Sequence, residues 1–275
     1  MLRFHGCDEP KNEKSNRRFE KQTTIFLVHK IKIENLNLRN EEWNLNVKIL
    51  MPDVNPRSFI DDYLQKMGIE YPKSYMNVTR CHLEEPNRYV NIDMATKRLK
   101  DAIDEKQKVG IIQDCDVDGL CSAVIAYQFL KLNGVELIVF FHSSKQHGIN
   151  DLMTEILNAN LDLLIVPDAG SNDVAACREL RANGVDVIIV DHHEIESENQ
   201  FAIVVNCMQG DTNHAASGTT VMAKIVDRYS ERYLGGRRFN FEDLVALSLL
   251  SDSRSMLSIE NRAYLNLGFG GCKNG

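Results

Sequence analysis

The chain has 275 residues, 43% hydrophobic and 26% charged, with a formal net charge of −7; this is enough for one large or two small domains with a real core. The acidic balance argues against coating nucleic acid through bulk electrostatics, and no apolar run resembles a membrane span or a signal peptide. Seven cysteines, scattered and without a C-x-x-C pair, fit a reducing cytosol better than a disulfide framework or a zinc site.

Residues 1 to about 22 mix acids and bases and are expected to form a mobile arm. The apolar runs Ile25–Val28 and Leu45–Leu50 read as strands of a small N-terminal unit, followed by the punctuation of Pro52 and Pro56. Ser58–Met67 has helical spacing behind an N-cap serine, Glu70–Arg88 reads as a connecting loop, and Ile92–Ile103 returns to helical spacing. From Lys108 the pattern alternates. Strands are expected at Val109–Gln113, Val135–Phe141, Leu161–Val166, Val185–Val190 and Phe201–Val205. Helices are expected at Leu120–Leu132, Asp151–Asn158, Asp173–Ala182, Thr219–Tyr233 and Phe241–Leu250, while Gly268–Gly275 shows neither character. Strands apolar on both faces that alternate with helices imply a three-layer α/β/α domain around a parallel sheet. Residues 1–70 are then a partly disordered extension, and 71–275 form the domain.

Three of these strands end in acids. The first leads to Asp114, Asp116 and Asp118, with Gly119 easing the turn into the helix; the third leads to Asp168; the fourth leads to Asp191-His192-His193. A last helix runs into Asp252. Alternating aspartates in a turn are commonly caps, and a histidine pair is commonly structural. A parallel sheet, however, gathers all these strand ends at one edge, where ligands bind. Clustered carboxylates repel one another unless compensated, and cations compensate them. Mixed carboxylate and imidazole ligands suit Mn²⁺, with Mg²⁺ as a substitute. Four or more carboxylates can hold two cations about 3.5–4 Å apart, an arrangement suited to phosphoester hydrolysis. The phosphate-binding G-x-x-x-x-G-K-[ST] loop is absent.

The order Asp114-Cys-Asp-Val-Asp-Gly119, Leu163-Leu-Ile-Val-Pro-Asp-Ala-Gly170, Val190-Asp-His-His193 and Leu247-Ser-Leu-Leu-Ser-Asp252 resembles the DHH phosphoesterase superfamily. The D-x-D-x-D-G form of the first motif is similar to the RecJ branch of single-strand-specific exonucleases. Gln146-His-Gly-Ile-Asn150, Ala216–Lys224 and Ile259–Gly268 resemble further segments of that branch. The resemblance implies that Asp114, Asp116, Asp168, His192 and Asp252 hold two Mn²⁺ or Mg²⁺ ions, with Asp168 bridging. It further implies that His193, Ser217 and Gly218 meet the substrate and that Asp118 and Asp191 orient the ligands. The implied reaction is 5′-to-3′ exonucleolytic hydrolysis of single-stranded DNA by a cytoplasmic repair or recombination enzyme. Pro167, Ala169 and Gln113 depart from the family pattern, and the second, DHH-associated domain is expected to be absent, as in a fragment or a phage-type protein. Two alternatives carry different expectations. A phosphodiesterase for short oligonucleotides or cyclic dinucleotides would have a histidine where Gly110 stands. A non-catalytic replication or repair partner would have lost ligands.

Overall fold

A computed structural model describes residues 31–33, 47–49, 59–142 and 147–270. The chain divides into two compact units, Met1–Glu70 and Tyr71–Gly275. In the first, β1 (Ile31–Ile33) pairs antiparallel with β2 (Val47–Ile49), Ile31 opposite Ile49, and α1 spans Phe59–Lys66. The expected arm, the run Ile25–Val28, the prolines at 52 and 56, Ser58 and the last five residues lie outside the described residues.

The second unit opens with structure where a loop was expected. Pro72 begins a short helix, α2 (Pro72–Met76), and two 3₁₀ turns follow at Arg80–His82 and Pro86–Arg88. Proline at a first helical position explains this, because its missing N–H is one that a helix start leaves unpaired anyway. After α3 (Ile92–Asp104) come β3 (Lys108–Gln113), α4 (Val117–Leu132), β4 (Glu136–Phe141), a 3₁₀ turn at Asn150–Leu152 and α5 (Met153–Asn158). Then follow β5 (Leu163–Pro167), α6 (Val174–Ala182), β6 (Asp186–Asp191), β7 (Ile203–Asn206), α7 (Gly218–Tyr233), α8 (Glu242–Ser251) and α9 (Ile259–Gly270). The C-terminal stretch that reads as irregular is therefore helical as far as Gly270.

The five strands β3 to β7 form one parallel sheet in the order β4-β3-β5-β6-β7. Every residue of β5 is buried, as a central strand covered on both faces must be. One hydrophobic cluster joins the sheet to α3, α4, α7 and α8, and a second joins its other face to α5 and α6. The domain is α/β with helices on both sides. Because β3 connects outward to β4 and the chain then returns to β5, strand order switches between β3 and β5. The crevice at that switch lies beyond their C-terminal ends. Phe129 of α4 packs edge-to-face on Tyr229 of α7 with ring centroids 5.0 Å apart. This buried pair fixes the two helices whose first turns reach the crevice.

Among the described residues, no helix is long and apolar enough to cross a membrane.

Candidate metal centre

Asp114 is the first residue after β3 and is buried, with its Oδ1 accepting from the Cys115 amide at 2.6 Å and its Oδ2 in contact with His147 Nδ1. Asp116 is the N-cap of α4 and accepts from Gly119 N at 2.7 Å. The helix thus starts three residues earlier than expected, because an aspartate at this position satisfies a free amide of the first turn. Gly119 accordingly lies inside α4 rather than in a turn leading to it. A Cβ there would collide with the Cβ of Asp114 and come within 3.0 Å of its Cα. The glycine lets the helix start press against the strand end.

Asp118, in the first turn of α4, is buried and accepts from Gly218 N and Thr219 N, each at 2.8 Å, and from Thr219 Oγ1 at 2.5 Å. Two free amides at the start of α7 therefore hold this carboxylate. Asp168 follows β5 with φ +65°, a left-handed conformation that aspartate tolerates better than most side chains. Its amide donates to Val190 O at 2.7 Å, which locks the turn to β6.

Asp191 ends β6 and turns back on its own turn. Oδ1 accepts from His192 N at 2.7 Å, His193 N at 3.2 Å and His193 Nδ1 at 2.8 Å, while Oδ2 accepts from Ser171 N at 3.1 Å. Burial pushes its carboxyl up, but the bonds from His193 and Ser171 outweigh it and hold the group well below the usual carboxylate range. The same bond to Asp191 raises the pKa of His193. His193 is half exposed, whereas His192 is buried and its pKa is lowered by that burial.

Acids surround His192 Nε2, with Asp168 Oδ1 at 3.0 Å, Asp118 Oδ2 at 3.7 Å and Asp252 Oδ2 at 3.8 Å. Possible ligand atoms of Asp168, His192 and His193 lie within 4.8 Å of one another, as do those of Asp118, His192 and Asp252. Strands β5 and β6 and helices α4 and α8 thus bring Asp118, Asp168, His192, His193 and Asp252 together. Asp114 and Asp116 stand outside both groups, the first against His147 and the second on its own helix cap. Burial and the charges of Asp118, Asp116 and Asp191 push the Asp168 carboxyl up to about 11. Burial likewise raises that of Asp252. Asp168 Oδ1, His192 Nδ1 and Asp252 Oδ2 are buried and take part in no hydrogen bond. Unpaired buried polar atoms are costly, and a divalent cation would satisfy these acceptors and offset the clustered carboxylates. The residues present fit such an ion.

Ser217 and Gly218, which the resemblance implies meet the substrate, are both buried at the start of α7. Ser217 is fully buried, caps α7 through Thr220 N at 3.2 Å and pairs with Ser248 Oγ at 2.8 Å. Gly218 backs onto Asp168, where a Cβ would come within 2.6 Å of Oδ1 and 2.9 Å of Cα. Both residues shape the floor of the site. Gly218→Ala is expected to displace Asp168 and to cost about 1–3 kcal/mol in urea unfolding; an unchanged midpoint would show that the contact does not hold Asp168. Sequence reading assigned no role to His147, Thr219 or Arg254. Arg254 lies 3.7 Å from Asp252 and donates to the carbonyls of His214 and Ala215.

The profile of the DHH family, N-terminal domain, matches residues 108–249, a span that includes the strand ends of Asp114, Asp168 and Asp191-His-His193. The chain belongs to the DHH family. A prophage protein of Bacillus subtilis named for single-strand DNA-specific exonuclease activity, YorK, is 30% identical over 209 residues, covering 74% of this chain and 36% of the relative. A crystal structure of exonuclease RecJ bound to manganese superposes with a TM-score of 0.61 at 26% identity, covering 66% of this chain and 48% of that one. RecJ of Thermus thermophilus in complex with Mn²⁺ gives 0.59 at 27% identity, over 66% and 27% of the respective chains. The DHH chain thus spans about a third of the length of its prophage relative.

Proposed function

We propose that the DHH domain at residues 71–275 is a RecJ-like exonuclease that hydrolyses single-stranded DNA from the 5′ end, with two Mn²⁺ or Mg²⁺ ions. One observation carries this reading: the buried oxygens Asp168 Oδ1 and Asp252 Oδ2, neither in a hydrogen bond, converge on His192 Nε2 at the C-terminal edge of the sheet, at 3.0 Å and 3.8 Å. The similarity to RecJ and YorK supports single-stranded DNA as the substrate class. Asp114, Asp116, Asp168, His192 and Asp252 would hold the ions. Such ions supply an activated water and stabilise charge on the phosphoryl oxygens.

The chain's own residues prepare that chemistry. The three bonds from α7 to Asp118 keep this carboxylate oriented behind the ligands. With His193 Nδ1 bonded to Asp191, the other ring nitrogen is not engaged by that carboxylate. The raised pKa of His193 favours a proton on that nitrogen and a hydrogen bond to a phosphoryl oxygen. The five described cysteines are all free, in keeping with a cytoplasmic protein.

The test is Mn²⁺-dependent release of mononucleotides from a 5′-phosphorylated single strand, with the duplex, the 3′-labelled strand and a dinucleotide as comparisons. The expected result is cleavage of the single strand from its 5′ end and little of the duplex. Preference for the dinucleotide would replace this reading with that of a short-oligonucleotide phosphodiesterase.

A further inference from the structure

One imidazole beside the first motif remains unassigned. His147 Nδ1 is in hydrogen-bond contact with Asp114 Oδ2, and the contact joins a half-exposed ring to a carboxylate that is 1% exposed. The other oxygen of Asp114 already accepts from Cys115 N at 2.6 Å. Between them the two donors fix the rotation of the carboxylate, a torsion that is otherwise broad.

The segment after His147 is built to hold the ring there. Gly148 has φ +88°, open to glycine at little cost, and its carbonyl lies 2.8 Å from His142 Nε2. Ile149 is fully buried, and its amide donates to Asp173 Oδ2 at 2.7 Å. Asn150 Nδ2 reaches Asp173 Oδ1 at 3.2 Å. Asp173 is the N-cap residue of α6 but makes no cap bond with its side chain, which is spent on this segment instead. A rigid helix on one face of the sheet thereby anchors the residue that touches the end of β3.

We propose that His147 is a positioning residue of the metal centre. Its Nδ1–H donates to Asp114 Oδ2 and turns the remaining lone pairs of that carboxylate toward a divalent cation. The inference rests on the metal-centre reading above. It explains why Asp114, which stands outside both groups of close ligand atoms, is nevertheless buried and held by two donors.

The experiment is a Mn²⁺ titration of the full chain, followed calorimetrically and by the loss of free-ion electron paramagnetic resonance signal, with thermal unfolding of the metal-free proteins measured alongside. His147→Ala is expected to weaken Mn²⁺ binding roughly 10- to 100-fold while the metal-free protein still unfolds in one cooperative transition. His147→Asn places an amide N–H close to the position of Nδ1 and is expected to recover most of the loss. Gly148→Ala strains the same turn without altering the ring and should weaken binding as well, so the inference does not depend on one variant folding. Parent-like binding by His147→Ala would overturn the proposal. So would His147→Asn binding as weakly as His147→Ala, because the imidazole would then be a ligand itself. Asp168→Ala separates the two levels. If it loses Mn²⁺ while His147→Ala does not, only the positioning role falls; if the parent binds none, the metal centre falls with it.

Discussion

Asp168→Ala is expected to lower phosphodiester hydrolysis by roughly a thousandfold or more, since ions in such a site supply several kcal/mol of transition-state stabilisation. The same variant should leave the metal-free protein at least as stable as its parent. The carboxyl of Asp168 is pushed up to about 11 from 3.8, by burial first and then by Asp118, Asp116 and Asp191. The folded protein therefore keeps a proton that the unfolded chain gives up above about pH 4. Its contribution to metal-free stability is full below that pH and drains away as pH rises toward about 11. Asp252 and His193, both raised, act in the same direction, and His192, lowered by burial, acts against them. Comparing parent and Asp168→Ala across about pH 5 to 8 isolates the Asp168 share: with chelator present, the midpoint of the parent should fall more steeply with rising pH. Mn²⁺ competes with that proton, so affinity for the ion should increase over the same range. Retained hydrolysis in the variant would remove Asp168 from the site, and parallel pH slopes would show that its carboxyl is not held protonated.

The parts legible in the sequence are those set by local chemistry. β3, β5 and β6 are continuous apolar runs because both their faces are buried, and each ends in an acid that the parallel sheet delivers to one edge. The errors lie where a residue serves a distant contact. Gly119 reads as a turn former, yet it is glycine because Asp114 leaves no room for a side chain. Gly268 and Gly270 read as the end of regular structure, but α9 continues through both. A Cβ on Gly268 would lie 2.7 Å from that of Ala246, so this glycine admits α8 rather than breaking α9. His147 stands 33 positions from Asp114, and no spacing rule connects them; the meeting depends on Asp173 anchoring the segment after His147. Ser217 shows the reverse case. The family resemblance implies a substrate contact there, and the burial of Ser217 against Ser248 appears only once α7 and α8 are packed.

Lys224→Ala is expected to destabilise the protein by about 3–5 kcal/mol, because removing one partner of a buried ion pair strands the other charge. Lys224 and Glu260 are 1% and 2% exposed, with Nζ 2.5 Å from Oε1. Nζ also donates to Glu84 O at 2.5 Å and lies 5.6 Å from the centre of the Tyr264 ring. Without the ammonium, Glu260 would keep only the Glu84 amide at 2.9 Å and Asn213 Nδ2 at 3.1 Å, too little to offset a carboxylate out of water. Lys224→Met combined with Glu260→Gln removes both charges and keeps an acceptor for one of those two donors, so it should recover part of the loss in urea unfolding. The damage in the single variant should also reach the site. Asn213 donates to Asn261 as well, and Asn261 in turn donates to Ala215 O at 2.8 Å and Ser255 O at 2.9 Å. Those carbonyls flank the segments that lead into Gly218 and out of Asp252, so the pair fastens α9 across the back of both. A loss below about 1 kcal/mol for Lys224→Ala, the scale of an exposed pair, would mean that water reaches the ammonium and that α9 is not fastened through it.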